Sequence, residues 1–366
     1  MRSVYIHIPF CEKICSYCDF CKVLYNSQLV DKYLDSLEEE IKSNYLGDVI
    51  NTIYIGGGTP SSLSVLQLER LFKIVSIFKR SKDIEFTIEA NFESTSEEKI
   101  DLFRKYGVNR ISFGLESTNE KHLEFLNRDF DREHVTNIIN YSKSVGLDNI
   151  NIDLIYALEN QTMEELREDL DFIIGLDIKH ISTYSLIIEN NTLLSVLGTK
   201  NISEDIDLEM YKFICKYLKN NNFKHYEISN FCKEGYYSRH NTVYWKNLEY
   251  YGFGLGASSY IGNKRSTNTR SFNKYFSKKY VSSVEEVSDK DLMDYEVILG
   301  LRLSEGIDKD KFRNRFGKRI DECYNYCELI DNGFIIDSGD NLFIPEDKFY
   351  VSNQIIVKFI EGEKYE

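Results

Sequence analysis

Tyr5-Ile6-His7-Ile8-Pro9-Phe10-Cys11-Glu12-Lys13-Ile14-Cys15-Ser16-Tyr17-Cys18 runs a short apolar strand into three cysteines on one tight loop. Val4–Ile8 alternates in the manner of a strand, and the cysteines follow at C-x3-C-x2-C spacing. In parallel α/β folds the functional groups gather beyond the C-terminal ends of the strands. The loop lies at such an end, so this stretch bears on both fold and chemistry. Three thiolates on one loop can hold three corners of an iron–sulfur cubane, which leaves the fourth iron without a ligand from the loop. An open metal position is where chemistry takes place, as at a catalytic zinc. A zinc loop completed by Cys21, or a set of buried thiols, is the alternative.

Outward from the loop, the first half alternates strand and helix patterns. Strands are expected at Val4–Ile8, Thr52–Ile55, Ile84–Glu89, Arg110–Gly114, Asn149–Ile155 and His180–Ile187. Helices are expected at Ser27–Ser43, Val65–Phe78, Glu97–Tyr106, Arg132–Val145 and Met163–Ile174. Such repetition predicts a parallel sheet with right-handed crossovers. Roughly six units fit before residue 200, short of the eight of a closed barrel. The expected fold is α/β: a partial (β/α)6 TIM-like barrel over residues 1–200, with a doubly wound open sheet as the alternative.

After Asn201 the pattern changes. A helix near Ile206–Leu218 leads to the strand-like Lys224–Ser229 and an aromatic, Gly-rich stretch, Tyr236–Tyr260; the pattern breaks near Val281–Ser288. Helices at Leu292–Leu301, Lys309–Phe316 and Ile320–Leu329 precede a hairpin of Phe334–Ile336 and Leu342–Ile344, and a last helix spans Tyr350–Phe359. This predicts a small winged-helix-like domain over 286–366, with 201–285 as a separate extension. Cys215, Cys232, Cys323 and Cys327 read as packing thiols, the last two on one helix face.

The net charge of −14 argues against a nucleic-acid surface, which needs clustered positive charge. No apolar run reaches the ~20 residues of a membrane span. The start, Met1-Arg2-Ser3-Val4-Tyr5, enters a strand without the apolar core of a signal peptide. A cytoplasmic, reducing location is expected, where the 8 cysteines are ligands or buried thiols rather than disulfides.

Tyr5-Ile6-His7-Ile8-Pro9-Phe10-Cys11 with that cysteine spacing resembles the oxygen-independent coproporphyrinogen oxidase group of radical-SAM proteins, and within it the haem chaperone branch, HemW. The resemblance extends over nearly the whole chain. It implies a [4Fe–4S] cluster on Cys11, Cys15 and Cys18, with S-adenosylmethionine (SAM) chelating the open iron. Gly56-Gly57-Gly58-Thr59-Pro60 would meet the methionyl amino group, its glycines allowing close approach. Read alone it is as readily an ordinary Gly/Pro turn; its place one strand after the cysteine loop shifts the balance. By the same resemblance Glu89 accepts from the methionyl ammonium, Arg128 pairs with the carboxylate, and Glu116 with Asp153 holds the ribose hydroxyls. Tyr17 would lie by the adenine, and Tyr5, Gly57, Gly58 and Thr59 complete the pocket. The types suit, since an Arg fork matches a carboxylate. Singly, each is equally a solvated strand-end carboxylate or a surface arginine.

The chain departs from the family pattern in three places. Relatives usually have Gln at Glu116, Gly-Leu-Pro-Gly-Gln-Thr at Ala157-Leu158-Glu159-Asn160-Gln161-Thr162, and Leu-Gly-Arg-x-His at Leu126-Asn127-Arg128-Asp129-Phe130. Two features favour the chaperone branch over the oxidases. The oxidases carry an extension ahead of the first strand, where three residues stand here, and a fourth Cys where this chain has Phe20; Cys21 comes one place later. Arg239-His240-Asn241-Thr242-Val243-Tyr244-Trp245, followed by glycines 252, 254 and 256, is a mark of the chaperone branch. There His240 would ligate haem iron, Tyr244 and Trp245 would offer flat apolar area, and the glycines close backbone approach. A structural His–Asn turn is the other reading. The expected function is a chaperone that binds the cluster, SAM and haem or another tetrapyrrole, and delivers haem to an acceptor protein. It would not act as a coproporphyrinogen III dehydrogenase. A radical enzyme that decarboxylates coproporphyrinogen III or methylates a tetrapyrrole is the second reading, and a zinc-stabilised binding module the third. The sequence leaves open the acceptor, any catalytic residue, and whether two copies pair as a homodimer.

Overall fold

The computed structural model describes residues 2–364. The chain divides into two compact units, Met1–Phe213 with Glu249–Glu285, and Ile214–Leu248 with Glu286–Glu366.

In the first unit six strands pair in sequence order and all in parallel: β1 (Arg2–Ile8), β2 (Val49–Gly57), β3 (Lys79–Asn91), β4 (Arg110–Glu116), β5 (Ile150–Tyr156) and β6 (His180–Ser185). The helices between them are α1 (Ser27–Asn44), α2 (Val65–Val75), α3 (Glu97–Lys105), α4 (Glu120–Leu126), α5 (Arg132–Ser144) and α6 (Met163–Gly175). The strand order never reverses. Right-handed crossovers then put every helix on one face, and the sheet is a partial barrel rather than doubly wound. Helix α4 is a short addition to the expected pattern.

Alternation along the strands separates two surfaces. Val4, Ile6, Ile8, Ile53, Ile55, Phe86, Ile88, Ile111, Phe113, Ile152 and Leu154 are fully buried. Each such side chain contributes about 1.5–3 kcal/mol of burial energy. The helices meet them with apolar stripes, as in α1 with Val30, Tyr33, Leu34, Leu37 and Ile41. Helix starts are set by caps: Asn26 for α1, and capping boxes Ser64/Gln67 for α2 and Thr162/Glu165 for α6. The opposite face of the strands carries Tyr5, His7, Tyr54, Glu89, Arg110, Ser112, Asp153 and His180. This polar face is the inside of the barrel, and its upper rings form the site.

The stretch 201–285, read from the sequence as one extension, is divided between the units. Strand β7 (Tyr250–Phe253) pairs in parallel with β1, followed outward by β8 (Ser258–Ile261), β9 (Lys264–Asn268) and β10 (Val281–Glu286). Strand β10 falls where a break in pattern was expected. It is exposed along its whole length, so it carries no hydrophobic alternation.

The second unit holds the antiparallel hairpin Lys224–Glu227/Asn230–Cys232 and the helices Arg239–Trp245, Asp289–Gly300 and Lys309–Phe316. The expected helix Ile320–Leu329 is two helices, Ile320–Cys323 and Cys327–Asp331. Tyr324 is extended between them, and Asn325 N–H donates to Gly362 O at 2.6 Å. Cys323 and Cys327 therefore share no helix face; the first is buried and the second exposed. The hairpin strands Ile336–Asp337 and Asn341–Phe343 gain a third partner, Ile307–Asp308, too short to show a period. Gly306 enters it at φ +68°, where a Cβ would lie 2.0 Å from Leu342 O. Helices with this small sheet make the winged-helix-like C-terminal domain. Among the described residues no helix is long and apolar enough to cross a membrane.

Candidate cofactor site

The cysteine loop is fastened on three sides. Gly58 N–H donates to Ile8 O (2.9 Å) and Thr59 N–H to Phe10 O (2.8 Å), which ties it to the end of β2. On the far side Ser16 Oγ donates to Phe125 O (2.7 Å) and Asn127 Nδ2 to Ile14 O (2.7 Å), both at the end of α4. From below, His7 Nε2 donates to Cys21 O (2.6 Å) while its Nδ1 accepts from Tyr5 OH (3.0 Å). The loop thus turns Cys11, Cys15 and Cys18 toward one cavity of ≈ 130 Å³, whose lining leaves Cys21 out. Cys21 lies instead against Gly256, where a Cβ would come within 3.4 Å of its Sγ.

Among the described residues no three His, Cys, Asp or Glu side chains close on a single ion. A cubane asks for something else, because each thiolate holds its own iron. Burial pushes the Cys11 thiol up to about 11 and raises Cys15 and Cys18 as well. Such thiols ionise when a metal replaces the proton.

The same cavity is lined by Tyr17, Gly57, Gly58, Thr59, Glu89, Glu116, Arg128 and Asp153. Of the residues expected there, Tyr5, Gly56 and Pro60 stand outside the lining, Tyr5 one ring below. Glu89 accepts from Tyr54 OH (2.8 Å) and from Gly57 N–H (2.9 Å). Burial pushes Glu89 and Glu116 up to about 7 and also raises Asp153. Arg128 is desolvated by burial, yet Glu93 and Glu116 beside it raise its pKa. Its Nη2 donates to Gly114 O (2.6 Å) and its Nη1 to Cys15 Sγ (3.9 Å). Its buried Nε donates no hydrogen bond; Glu93 Oε1 is 3.7 Å away. These observations fit SAM: an idle guanidinium donor for a carboxylate, desolvated carboxylates for positive charge, and a bare Gly58 whose Cβ would strike Cys11 Sγ at 2.9 Å.

Two lining residues on β4 were not foreseen, Ser112 and Gly114. Their signal was period two from Arg110, which places all three on the inner face. A Cβ on Gly114 would lie 2.8 Å from Glu116 Oε1 and 3.4 Å from Arg128 Nη2.

The backbone accounts for most of the departures from the family pattern. Asn127, Ala157 and Asn160 take φ of +56°, +60° and +59°. They stand where relatives usually have glycine, and the left-handed geometry is retained without it. Asn tolerates that region; Ala does so at about 1–2 kcal/mol. Ala157→Gly is therefore expected to stabilise the protein by about 1 kcal/mol, after the extra entropy of glycine in the unfolded chain. Urea denaturation measures it, and a loss of stability would mean that Ala157 is unstrained. Nothing in the structure explains Glu116 in place of Gln; its φ is +69°.

In the second unit, Ser238 caps the helix Arg239–Trp245 by accepting from Asn241 N–H. His240 is 1% exposed, and its Nε2 lies 2.8 Å from Tyr244 OH one turn on. Trp245 is half-buried, its buried Nε1 has no hydrogen-bond partner, and the Arg302 guanidinium lies over its ring at 5.7 Å. The glycines expected to admit a macrocycle belong to the first unit and make room for the chain itself. A Cβ on Gly252 would lie 1.9 Å from Ser258 O, and one on Gly254 2.5 Å from Tyr33 OH and 2.6 Å from His7 O.

Residues 5–173 match the Radical SAM superfamily, and residues 287–347 the HemN C-terminal domain. The Heme chaperone HemW of Lactococcus lactis subsp. lactis is 38% identical, over 98% of this chain and 97% of that protein. Its namesake in Bacillus subtilis is 35% identical, over 98% and 99%. Among solved structures, coproporphyrinogen III oxidase (HemN) from Escherichia coli, a radical-SAM enzyme, covers 98% of this chain and 89% of its own, with a TM-score of 0.86. At 22% identity that likeness is one of fold. Barrel and cysteine loop define a radical-SAM protein, a class that implies a [4Fe–4S] cluster and SAM. Within that class, the chain belongs to the HemW family.

Proposed function

We propose that this protein is a haem chaperone built on a radical-SAM core. Cys11, Cys15 and Cys18 hold the cluster, the pocket above β2–β5 holds SAM, and the second unit takes haem through His240 for transfer to an acceptor protein. The observation that carries the first part is the single cavity shared by three cysteines, Glu89, Arg128 and Asp153. A bound cluster supplies an open iron and an electron. The chain's residues do the rest: Arg128 forks the methionyl carboxylate, Glu89 accepts from the ammonium, Glu116 and Asp153 accept from ribose hydroxyls, and Tyr17 flanks the adenine. The names of the relatives support the haem part, together with an imidazole and two aromatic rings on one short helix. Haem or another tetrapyrrole offers a flat apolar face to Tyr244 and Trp245. The His240 Nε2 that would ligate iron is engaged by Tyr244 OH, so Tyr244 acts as a latch to be displaced.

A haem titration of the anaerobically reconstituted protein tests this reading. The wild type is expected to develop a Soret band that saturates. His240→Ala should shift that band and weaken binding, whereas Trp245→Ala should weaken binding with the ligand spectrum kept. An unshifted band in a folded His240→Ala protein would assign the iron to another residue.

A further inference from the structure

Arg110 heads the fully buried side chains by size, at 2% exposed. Among the described residues no ion pair or hydrogen bond holds its guanidinium, and its Nε is buried without a partner. A desolvated cation is costly unless opposite charge stands near. The sheet register says what stands near. Arg110 is the Cα partner of Thr87, itself partner of Tyr54 and, through it, Tyr5, which makes one inward ring. The ring above holds Glu89, Ser112, Asn151 and His180; the next holds Gly114, Asp153 and Ser182. Glu85 lies in the ring below, further from the pocket. Behind burial, the first influence on each, the charge of Arg110 acts on Tyr54, Glu89, Asp153 and His180, which stand on β2, β3, β5 and β6. Burial, with Arg110 second, keeps His180 neutral, and burial keeps Tyr54 protonated.

We infer that Arg110 is a positioning residue, a counter-ion inside the barrel that opposes the burial of the Glu89 and Asp153 carboxylates and so makes the pocket select a ligand of net positive charge. This rests on the SAM reading of the pocket. Three carboxylates, Glu89, Glu116 and Asp153, against two guanidiniums, Arg110 and Arg128, leave one negative charge, and SAM, with sulfonium, ammonium and carboxylate, carries one positive charge. The ligand lies nearer the carboxylates than Arg110, which is one ring below Glu89 and two below Asp153, so the attraction outweighs the repulsion. Glu89 sits at about 7, above the usual carboxylate range. Below that pH it is protonated and cannot accept from an ammonium; above it, it can. SAM affinity should therefore rise with pH through neutrality.

Equilibrium dialysis of labelled SAM against reconstituted protein from pH 6 to 9 tests the inference. The ligand's own ammonium also titrates, so each profile is read as the ratio of variant to wild type. Arg110→Gln is expected to weaken SAM tenfold or more at pH 7 and to recover toward the wild type at pH 9. Arg110→Lys, which keeps the charge, should keep the wild-type midpoint, and S-adenosylhomocysteine, which keeps the ammonium but lacks the sulfonium, should keep only part of the dependence on Arg110. A deficit in Arg110→Gln that is equal at every pH overturns the inference, as does a Lys variant that behaves like Gln. If Gln does not fold, Arg110→Met serves as the uncharged variant and is read in the same way. A wild type that does not bind SAM overturns the pocket reading itself.

Discussion

Cys15→Ala protein, reconstituted anaerobically with iron and sulfide, is expected to carry essentially no cluster, while Cys21→Ala carries the wild-type amount. The difference follows from where the thiols point. Cys11, Cys15 and Cys18 open on one cavity, and Cys21 is packed beside Gly256 with its carbonyl held by His7. A cubane with three protein thiolates keeps one iron for a chelating ligand; a fourth thiolate would occupy it. Removing any of the three leaves two corners, too few to hold the cluster against exchange with solvent thiols. The structural cost of Cys15→Ala is small by comparison, because the loop is held by hydrogen bonds from Ser16 Oγ and to Ile14 O that the substitution spares. Iron and sulfide per chain, with the visible band, measure the outcome. Zinc in place of iron would favour a zinc loop, and a Cys21→Ala protein as empty as Cys15→Ala would end the open-site reading.

The barrel was legible because its signals are local. Six strand patterns and five helix patterns stand where expected, each helix with an apolar stripe and most with a cap readable from Ser, Thr, Asn or Asp. What stayed hidden depends on pairings distant in sequence. Tyr250–Phe253 joins β1 across almost the whole first unit, and nothing in four residues announces that partner. Ile307–Asp308 is two residues long, and Val281–Glu286 is exposed on both faces. The site shows the same division. The cysteine spacing and Gly56–Thr59 are contiguous, so sequence sufficed. Arg110 looked like any strand residue until its register placed it beneath Glu89. The glycines after Trp245 were read as serving a ligand because sequence cannot show that Tyr33 and His7 occupy that space.

Arg128→Ala should weaken SAM by roughly 30- to 1000-fold, about 2–4 kcal/mol, without emptying the cluster site. The guanidinium has one strong bond to the protein, Nη2 to Gly114 O, and a buried Nε that donates to nothing. Those remaining donors are what a carboxylate would take. Glu116 also depends on Arg128, the largest influence opposing the burial that pushes its carboxyl up. Without Arg128 that carboxyl protonates more readily, so the ribose loses an ionised acceptor as the carboxylate loses its fork. The cluster has less at stake, since the contact of Nη1 with Cys15 Sγ is long at 3.9 Å. Arg128→Lys should recover only part of the loss, because an ammonium is a point charge and cannot donate two parallel bonds. Dialysis with labelled SAM beside iron analysis of the same samples separates the two effects. Unchanged affinity in a cluster-loaded Arg128→Ala protein would take Arg128 out of the pocket; loss of the cluster would make it a support of the cysteine loop instead.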